Sequence, residues 1–301
     1  MRCLHPIKVK QVSKDTDLVV YNDVPCGKCP NCIINYWQQW IFRLSWEQKC
    51  SSLCLFVTLT YDDEHLSIKN GVPSVNKRDV QLFNKRLRER LNIVQSDAVS
   101  EEENKEFRNG AYRYYIASEY GSNTLRPHYH CIMFFSWSVL QNRDELENII
   151  SKCWSLGFVR FDSVSSGSIA YVTKYVLKEQ PSTRGDKPFT LTSRRPGLGH
   201  QYVNDMRDWH GHNPEKMYVV MSGGQKYPLP RYLKDKFGFD KDMLNQFKEQ
   251  RKIDRVVEEQ ELIEVYRQQG LDYYQLKMSD YEFKKFRAEK ARSYRAKKQK
   301  L

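Results

Sequence analysis

Residues 111–135 read AYRYYIASEYGSNTLRPHYHCIMFF: two apolar and aromatic runs on either side of a short polar stretch. Runs of this length and composition favour β-strands, and we predict one strand at 111–118 and another at 128–135. The Gly-Ser-Asn sequence at 121–123 is typical of a turn. The spacing is that of an antiparallel hairpin.

Two further strands and four helices are expected around this hairpin. The β-branched and aromatic run LCLFVTLTY at 53–61 predicts a buried strand, and residues 157–164 predict another. Apolar residues that recur every three or four positions predict helices. These are expected at about residues 31–49, 76–91, 139–154 and 166–178. Adjacent strands between helices indicate an α+β fold, with an antiparallel central sheet flanked by helices.

The remaining segments carry weaker patterns. Residues 1–30 are expected to be irregular because proline and glycine interrupt them, and residues 181–199 are expected to form a loop. A short strand is possible at Met217–Met221, and the chain from residue 240 onward is expected to be helical. The last stretch, residues 281–301, has nine Lys or Arg against two Glu.

This pattern divides the chain into three parts. Residues 1–50 would form a Cys-rich N-terminal segment with a helix packed on the core. Residues 51–235 would form the core itself. Residues 236–301 would form a helical, basic C-terminal extension.

The charge balance narrows the class of partner. The chain of 301 residues has a formal net charge of +12 and a sequence pI near 9.2. A balance this basic favours a polyanion, either nucleic acid or an anionic membrane surface. No window approaches the roughly 20 apolar residues that span a bilayer, and the N-terminus has no apolar signal-peptide core. We therefore expect a cytosolic protein that binds nucleic acid and no membrane.

The sequence Pro127-His128-Tyr129-His130 contains a candidate metal site. Residues two apart on a strand point to the same face, so the two imidazoles would project together. A hairpin would return Glu119, at the end of the preceding strand, close to them. Two histidines and one carboxylate with open positions suit a divalent cation that also binds substrate oxygens. Alternatively, the histidines are simply hydrogen-bonded and Glu119 is a surface residue paired with Arg126.

Tyr171, Lys174 and Tyr175 form a second candidate group. Residues three and four apart on a helix share a face, so both phenols and the ammonium group would reach one cleft. A phenol has an ordinary pKa near 10, and a nearby metal and cation would favour its attack as a phenolate. Alternatively, one tyrosine packs in the core and the other lies at the surface.

The N-terminal cysteines are a candidate structural zinc site. Cys26, Cys29 and Cys32 place three thiols within seven residues, and Cys3 would be the fourth ligand of a tetrahedral Zn²⁺. Cys50 or Cys54 could replace Cys3. The alternative is a set of buried, reduced thiols.

The order of these motifs resembles the HUH endonucleases. More specifically, the chain is similar to the replication initiators of gokushovirus-like microviruses, which are small single-stranded-DNA phages. That similarity covers roughly residues 1–235, with the core at 51–235. It is carried by PCGKC at 25–29, FVTLTY at 56–61, LTYDDEHL at 59–66, EYG at 119–121, RPHYH at 126–130, AYV at 170–172 and SRRPG at 193–197.

The resemblance implies a nickase-ligase that starts rolling-circle replication in the cytoplasm of a bacterial host. The two histidines and Glu119 would hold Mg²⁺ or Mn²⁺. One tyrosine would cut single-stranded DNA, or a supercoiled duplex origin, and remain joined through a 5′-phosphotyrosine. The second would cut again after one round, so that the ends are rejoined and a circular genome is released. Lys174 would steady the phosphate, and host replication helicase and polymerase would be partners.

Other readings of the sequence remain open. Arg194, Arg195, Gly197 and Gly199 form a basic segment that is a candidate for binding DNA phosphates through side chains or main-chain N–H groups. The alternative is an ordinary surface loop. The basic tail at 281–301 would hold DNA nonspecifically or be a solvated helix. Beyond an initiator, the chain could be a relaxase or transposase, a zinc-stabilised nucleic-acid-binding protein without catalysis, or a metal-dependent hydrolase that uses water.

Overall fold

The computed structural model describes residues 3, 5–12, 19–96, 112–136, 142–174, 185–221 and 223–275. Its first half contains β1 (Ile7–Val12), β2 (Val19–Val24), α1 (Pro30–Lys49), β3 (Leu53–Tyr61), β4 (Ile68–Lys69), β5 (Val72–Pro73), α2 (Lys77–Ser96), β6 (Tyr112–Tyr120) and β7 (Pro127–Phe135). The second half contains α3 (Arg143–Cys153), β8 (Gly157–Ser163), α4 (Ser166–Lys174), β9 (Thr190–Thr192), α5 (Gln201–Asp205), α6 (Arg207–His212), β10 (Tyr218–Val220), β11 (Lys226–Pro228), α7 (Arg231–Phe237) and α8 (Lys241–Gln268).

A five-stranded sheet in the order β8-β3-β7-β6-β9 forms the centre of the fold. All four pairings are antiparallel, so the predicted antiparallel sheet flanked by helices is confirmed. The fifth strand, β9, lies within the segment expected to be only a loop. Three residues are too few to show a strand periodicity, and β9 forms because its backbone pairs with the free edge of β6.

Each face of the sheet packs against helices. On one face, α2 and α3 bury a large apolar cluster that includes Phe83, Tyr129 and Trp154. The other face carries Phe56, Tyr115 and their neighbours, and it is covered by residues of α1 and α4 such as Leu44, Ile169 and Val172. His128 and His130 point to this second face, because Tyr129 between them points to the first. We call it the site face.

The N-terminal region departs from the expectation of an irregular segment. Strands β1 and β2 pair over six residues each, with Ile7 opposite Val24 and Val12 opposite Val19. The alternation of apolar and polar residues from Ile7 to Lys10 is the pattern of a strand. The prolines that suggested irregularity, Pro6 and Pro25, lie just outside the two strands, where proline is tolerated.

The chain divides into two compact units. The first comprises Met1–Asp208 and Tyr218–Lys236, and the second comprises Trp209–Met217 and Phe237–Leu301. In the second unit, Asp240 caps α8 by accepting hydrogen bonds from the N–H groups of Asp242 and Met243. The basic stretch at 281–301 lies outside the described residues. The three-part division at residues 50 and 235 stays a prediction.

None of the helices in the described part of the chain combines the length and the apolar character that crossing a bilayer requires.

Candidate active site

The β6–β7 hairpin brings one carboxylate and two imidazoles together. Glu119 lies directly opposite His128 in the register of the two strands. One oxygen of Glu119, Oε2, lies 3.3 Å from Nε2 of His128 and 3.4 Å from Nε2 of His130. The three candidate ligand atoms all lie within 4.8 Å of one another. We call this set the His–Glu cluster.

The other ring nitrogens have partners that orient the imidazoles. Nδ1 of His128 lies 3.3 Å from the backbone carbonyl of Arg126. A carbonyl only accepts, so a hydrogen bond here requires the proton on Nδ1, which leaves Nε2 as the ring nitrogen available to a metal ion beside Glu119. Nδ1 of His130 lies 3.2 Å from the hydroxyl of Thr58, which is directly opposite on β3. Hydrogen bonds of this kind fix the orientation of metal-binding histidines.

The His–Glu cluster lies at the margin of the core. The ring of Phe56 stacks on His130 with the ring centroids 5.6 Å apart, while the Glu119 side chain retains only 12% exposure. A carboxylate so nearly buried needs a compensating cation or hydrogen bonds. Two neutral imidazoles and one carboxylate form a donor set that suits a divalent ion with open positions for substrate. The cluster therefore fits the divalent metal that the sequence implies.

Helix α4 places Tyr171 next to the His–Glu cluster. The Tyr171 ring meets the His130 ring edge to face, with the centroids 5.3 Å apart. Val172 and Thr173 are buried, and the indole N–H of Trp37 donates to the Thr173 hydroxyl at 2.9 Å. Because these contacts fix α4 against α1, the exposed Tyr171 is held on the site face. Its side chain is 47% exposed, so substrate can reach it.

The predicted tyrosine group also contains Lys174 and Tyr175. Lys174 is the last residue of α4 and is exposed. It lies three positions after Tyr171, which puts both on one side of the helix. Tyr175 lies outside the described residues, so its position beside Tyr171 stays a prediction.

The four cysteines predicted to bind zinc also come together. Their sulfur atoms all lie within 4.8 Å of one another, with Cys29 3.8 Å from Cys3 and Cys26 4.0 Å from Cys32. Sulfurs bound to one tetrahedral zinc at about 2.3 Å lie roughly 3.8 Å apart. A disulfide would need about 2.05 Å. We call this set the cysteine cluster, and it fits a tetrahedral zinc ion.

Backbone geometry supports the cysteine cluster. Gly27 has a φ of +73°, a conformation that glycine adopts without strain, and it turns the chain between Cys26 and Cys29. The N–H groups of Lys28 and Cys29 point at the Cys26 sulfur and lower the pKa of that thiol. Burial has the opposite effect at Cys32, whose pKa rises to about 12. A bound cation would favour the deprotonated form of both.

Arg194 and Arg195 are exposed, but the glycines that follow them have structural roles. The N–H of Gly197 donates to the Tyr232 hydroxyl at 2.7 Å, and the N–H of Gly199 donates to the Glu47 carboxylate at 2.6 Å. These two main-chain N–H groups already have partners within the protein, and the binding of DNA phosphate by this segment stays a prediction. The arginine side chains remain candidates for DNA binding.

Comparisons with known proteins agree with these observations. A family model for the replication-associated protein ORF2 matches residues 54–180. The replication-associated protein VP4 of Bdellovibrio phage phiMH2K is 28% identical over 78% of this chain and 76% of its own length. The chain is thus similar to replication-associated proteins of phages. The replication-associated protein ORF2 of Spiroplasma virus 4 is 24% identical over 87% of each chain.

Other matches are weaker. The replication-associated protein ORF4 of Chlamydia phage 1 is 24% identical over 76% of this chain and 59% of its own length. Among solved structures, the N-terminal nuclease domain of the minute virus of mice non-structural protein 1 matches 56% of this chain and 81% of that domain. The identity is 10% and the TM-score 0.19. A TM-score this low has no bearing on the fold.

Sequence reasoning missed several residues that support the site. Thr58, Phe56 and the carbonyl of Arg126 all contact the histidines. Thr58 and Phe56 lie on a strand that was predicted, but their proximity follows only from the β3–β7 register. The alternation of residues along β3 marks which side chains share a face, and it carries no information about register.

Proposed function

We propose that this protein initiates replication by nicking single-stranded DNA through a tyrosine nucleophile. The observation that carries the proposal is that Tyr171, half exposed, lies beside His130 on the same face as the His–Glu cluster. A nucleophile next to a set of metal ligands is the arrangement that phosphoryl transfer requires. The relatives' names, replication-associated proteins of phages, favour initiation over a relaxase or transposase with the same chemistry.

The cutting step follows from these positions. The Tyr171 hydroxyl gives up its proton, and its oxygen forms a bond to the scissile phosphorus. The bond from phosphorus to the 3′ oxygen breaks, and that oxygen takes a proton to leave as a 3′-OH. A divalent cation held by Glu119, His128 and His130 would stabilise the charge that develops on the phosphate oxygens. The protein is then joined to the 5′ phosphate of the downstream strand.

The proposed rejoining step reverses this chemistry. A 3′-OH attacks the phosphotyrosyl phosphorus and the tyrosine leaves, so the number of phosphodiester bonds is conserved without ATP. In this proposal one tyrosine of the pair Tyr171 and Tyr175 makes the second cut while the other is still joined to DNA. Lys174, at the exposed end of α4, steadies the charged phosphate. The released product is a circular genome.

The proposal also covers the metal ions, the DNA substrate and the host partners. The cation of the His–Glu cluster is Mg²⁺ or Mn²⁺, and the cysteine cluster holds Zn²⁺. The substrate is an origin in single-stranded or supercoiled duplex DNA. The protein acts in the cytoplasm of a bacterial host, with host replication helicase and polymerase as partners.

The test is a covalent adduct that survives denaturant. A randomised single-stranded DNA pool is incubated with the full chain and Mn²⁺. The DNA is labelled at the 3′ end, because the protein stays joined to the fragment that carries this end. We expect a labelled protein band that forms only when Mn²⁺ is added, and mass spectrometry should map the DNA to Tyr171 or Tyr175. The double variant Tyr171→Phe, Tyr175→Phe should form no adduct.

Tyr36→Phe is the matched control, because Tyr36 is also 47% exposed and lies on another helix. It should form the adduct as the wild type does. Cleavage without a labelled protein band would show that water is the nucleophile. Binding without cleavage would show a nucleic-acid-binding protein without catalysis. Either result would overturn the proposal.

A further inference from the structure

Strand β8 carries a highly exposed aromatic side chain on the site face. Phe158 is 69% exposed, the largest exposed fraction of any large hydrophobic residue in the described part of the chain. It lies opposite Thr60, which in turn lies opposite His128, itself opposite Glu119. Side chains directly opposite one another share a face. Phe158 therefore stands in one cross-strand row with the His–Glu cluster.

The helices that cover the site face leave this end of the sheet open. The apolar cluster beneath α1 and α4 contains residues of β3, β6 and β7, and among the described residues it contains no side chain from β8. The opposite face of β8 is packed, since Val159 and Phe161 contact the main core. Phe158 is thus an exposed ring on a strand whose opposite face packs against the core.

Contacts at the start of β8 fix the backbone that carries that ring. Gly157 has a φ of +149°, and a Cβ there would lie 2.4 Å from the carbonyl oxygen of Thr60. Only glycine allows so close an approach of β8 to β3. The indole of Trp154 donates to the same Thr60 carbonyl at 2.9 Å, and the N–H of Asp62 donates to Leu156 at 3.1 Å. A ring on a rigid element loses little entropy on binding.

A cation lies next to Phe158 on the same face of β8. Arg160 is opposite Thr58, the partner of His130, and its side chain is 78% exposed. Its Nε and Nη2 lie 3.1 Å and 3.3 Å from the two carboxylate oxygens of Asp162, and water has access to both side chains of this ion pair. An exposed aromatic ring beside an exposed guanidinium is the combination that binds the base and the phosphate of single-stranded nucleic acid.

We propose that Phe158 stacks on a base of the DNA strand beside the scissile phosphate, and that Arg160 contacts a neighbouring phosphate of that strand. Two strand spacings separate β8 from β7, roughly 10 Å, which is about three stacked nucleotides. A strand whose phosphate lies at the His–Glu cluster therefore reaches Phe158 within a few bases. This inference rests on the proposed function and adds how the strand is positioned for the cut.

Binding is measured without added Mg²⁺ or Mn²⁺ and without chelator, so that no cutting is expected and the cysteine cluster keeps its zinc, with two fluorescein-labelled probes. One is an oligo-dT of about 20 nucleotides, longer than one such binding site, and the other is an abasic oligomer of the same length, which has the phosphates without the bases. The full wild-type chain should bind oligo-dT more tightly than the abasic probe. Phe158→Leu, which keeps an apolar side chain without a π face, should weaken oligo-dT binding about 5- to 100-fold. It should leave binding of the abasic probe unchanged.

Two further variants separate stacking from charge. Phe158→Tyr keeps the ring and should bind both probes as the wild type does. Arg160→Gln should weaken both probes equally and lower the salt dependence, by about 0.7 in the slope of log K against log salt. Photocrosslinking of the wild type to an oligomer containing 5-iodouracil should map to the peptide that contains Phe158.

Three results would overturn the inference: wild type without a preference for bases, Phe158→Leu with wild-type binding of oligo-dT, or an equal loss on both probes. The adduct assay separates this failure from that of the proposed function. A normal adduct with no effect of Phe158→Leu would reject only the stacking. A missing adduct with the expected Phe158→Leu effect would reject only the nicking.

Discussion

The described residues include two candidate metal-binding sets of side chains that differ in chemistry and in access. The cysteine cluster has four thiols at the mutual distances of a tetrahedron, so a zinc ion there would have no position left for substrate. The His–Glu cluster supplies only three ligands and stands between Tyr171 and the open end of the site face. Closed sites of the first kind are structural, and open sites of the second kind are catalytic.

The comparison shows how neighbours decide what a metal would do. Around the cysteine cluster, the N–H groups of the 26–29 turn point at sulfur, and they stabilise a fixed loop. Around the His–Glu cluster, Thr58 and the Arg126 carbonyl orient the rings, while an exposed phenol and an exposed Phe158 face solvent. Loss of the first ion should unfold a segment, and loss of the second should stop a reaction.

The largest expected effect is on the cysteine cluster. Zinc binding to sites of this kind contributes about 10–16 kcal/mol at neutral pH, so Cys29→Ser should lose the ion and expose the β1–β2 hairpin to protease. Zinc content by elemental mass spectrometry and limited trypsin digestion measure both. Cys50→Ser, at an exposed cysteine outside the cluster, should change neither. Wild-type protein purified without chelator and free of zinc would refute the structural role.

Glu119→Gln should separate catalysis from stability. The neutral amide is a poor metal ligand, and a metal ion stabilises the transition state by several kcal/mol. We therefore expect adduct formation to slow roughly 100- to 1,000-fold with the zinc content unchanged. A variant that nicks at the wild-type rate would show that this carboxylate is not a ligand.

A smaller effect is expected from the neighbour of His130. Thr58→Val keeps the side-chain shape and removes the hydroxyl that lies 3.2 Å from Nδ1. Loss of such a partner lowers metal affinity or activity about 10- to 100-fold. The Mn²⁺ concentration needed for half-maximal adduct formation should rise accordingly, and Thr58→Ser should restore it. Equal behaviour of Val and Ser at this position would mean that the hydroxyl has no role.

The smallest effect is expected at Arg195, a candidate DNA-binding residue outside the His–Glu cluster. If Arg195 contacts one phosphate, Arg195→Ala should weaken oligo-dT binding a few-fold and lower the salt slope by about 0.7. Lys85→Ala is the control, because Lys85 is exposed on α2, which covers the other face of the sheet. A salt titration by fluorescence anisotropy would contradict the assignment if both variants gave the same slope.

Much of this fold could be predicted because its strands carry strong local patterns. The runs at 53–61 and 128–135 combine β-branched and aromatic residues, and the turn between β6 and β7 sets a register that returns Glu119 to His128. The His–Glu cluster therefore follows from local spacing alone. Its grouping was predictable even though its role as a metal site stays a proposal.

The parts that sequence missed depend on distant pairing. Strand β9 exists because β6 offers a free edge, and Thr58 meets His130 only through the β3–β7 register. The β1–β2 hairpin was not predicted, because the prolines that flank it indicate an irregular segment while apolar and polar residues alternate only over a few positions. That hairpin returns the chain so that Cys3 lies close to Cys26.

The central claim is that one ion at the His–Glu cluster lies within reach of a phenol, while a different ion fills the cysteine cluster. Anomalous diffraction at the manganese and zinc edges, from one crystal grown with Mn²⁺, measures both. We expect manganese bound by Glu119, His128 and His130 on the side of the sheet that carries the Tyr171 hydroxyl, and zinc among the four sulfurs. Manganese absent from the His–Glu cluster, or the Tyr171 hydroxyl turned to the other side of the sheet, would contradict the account.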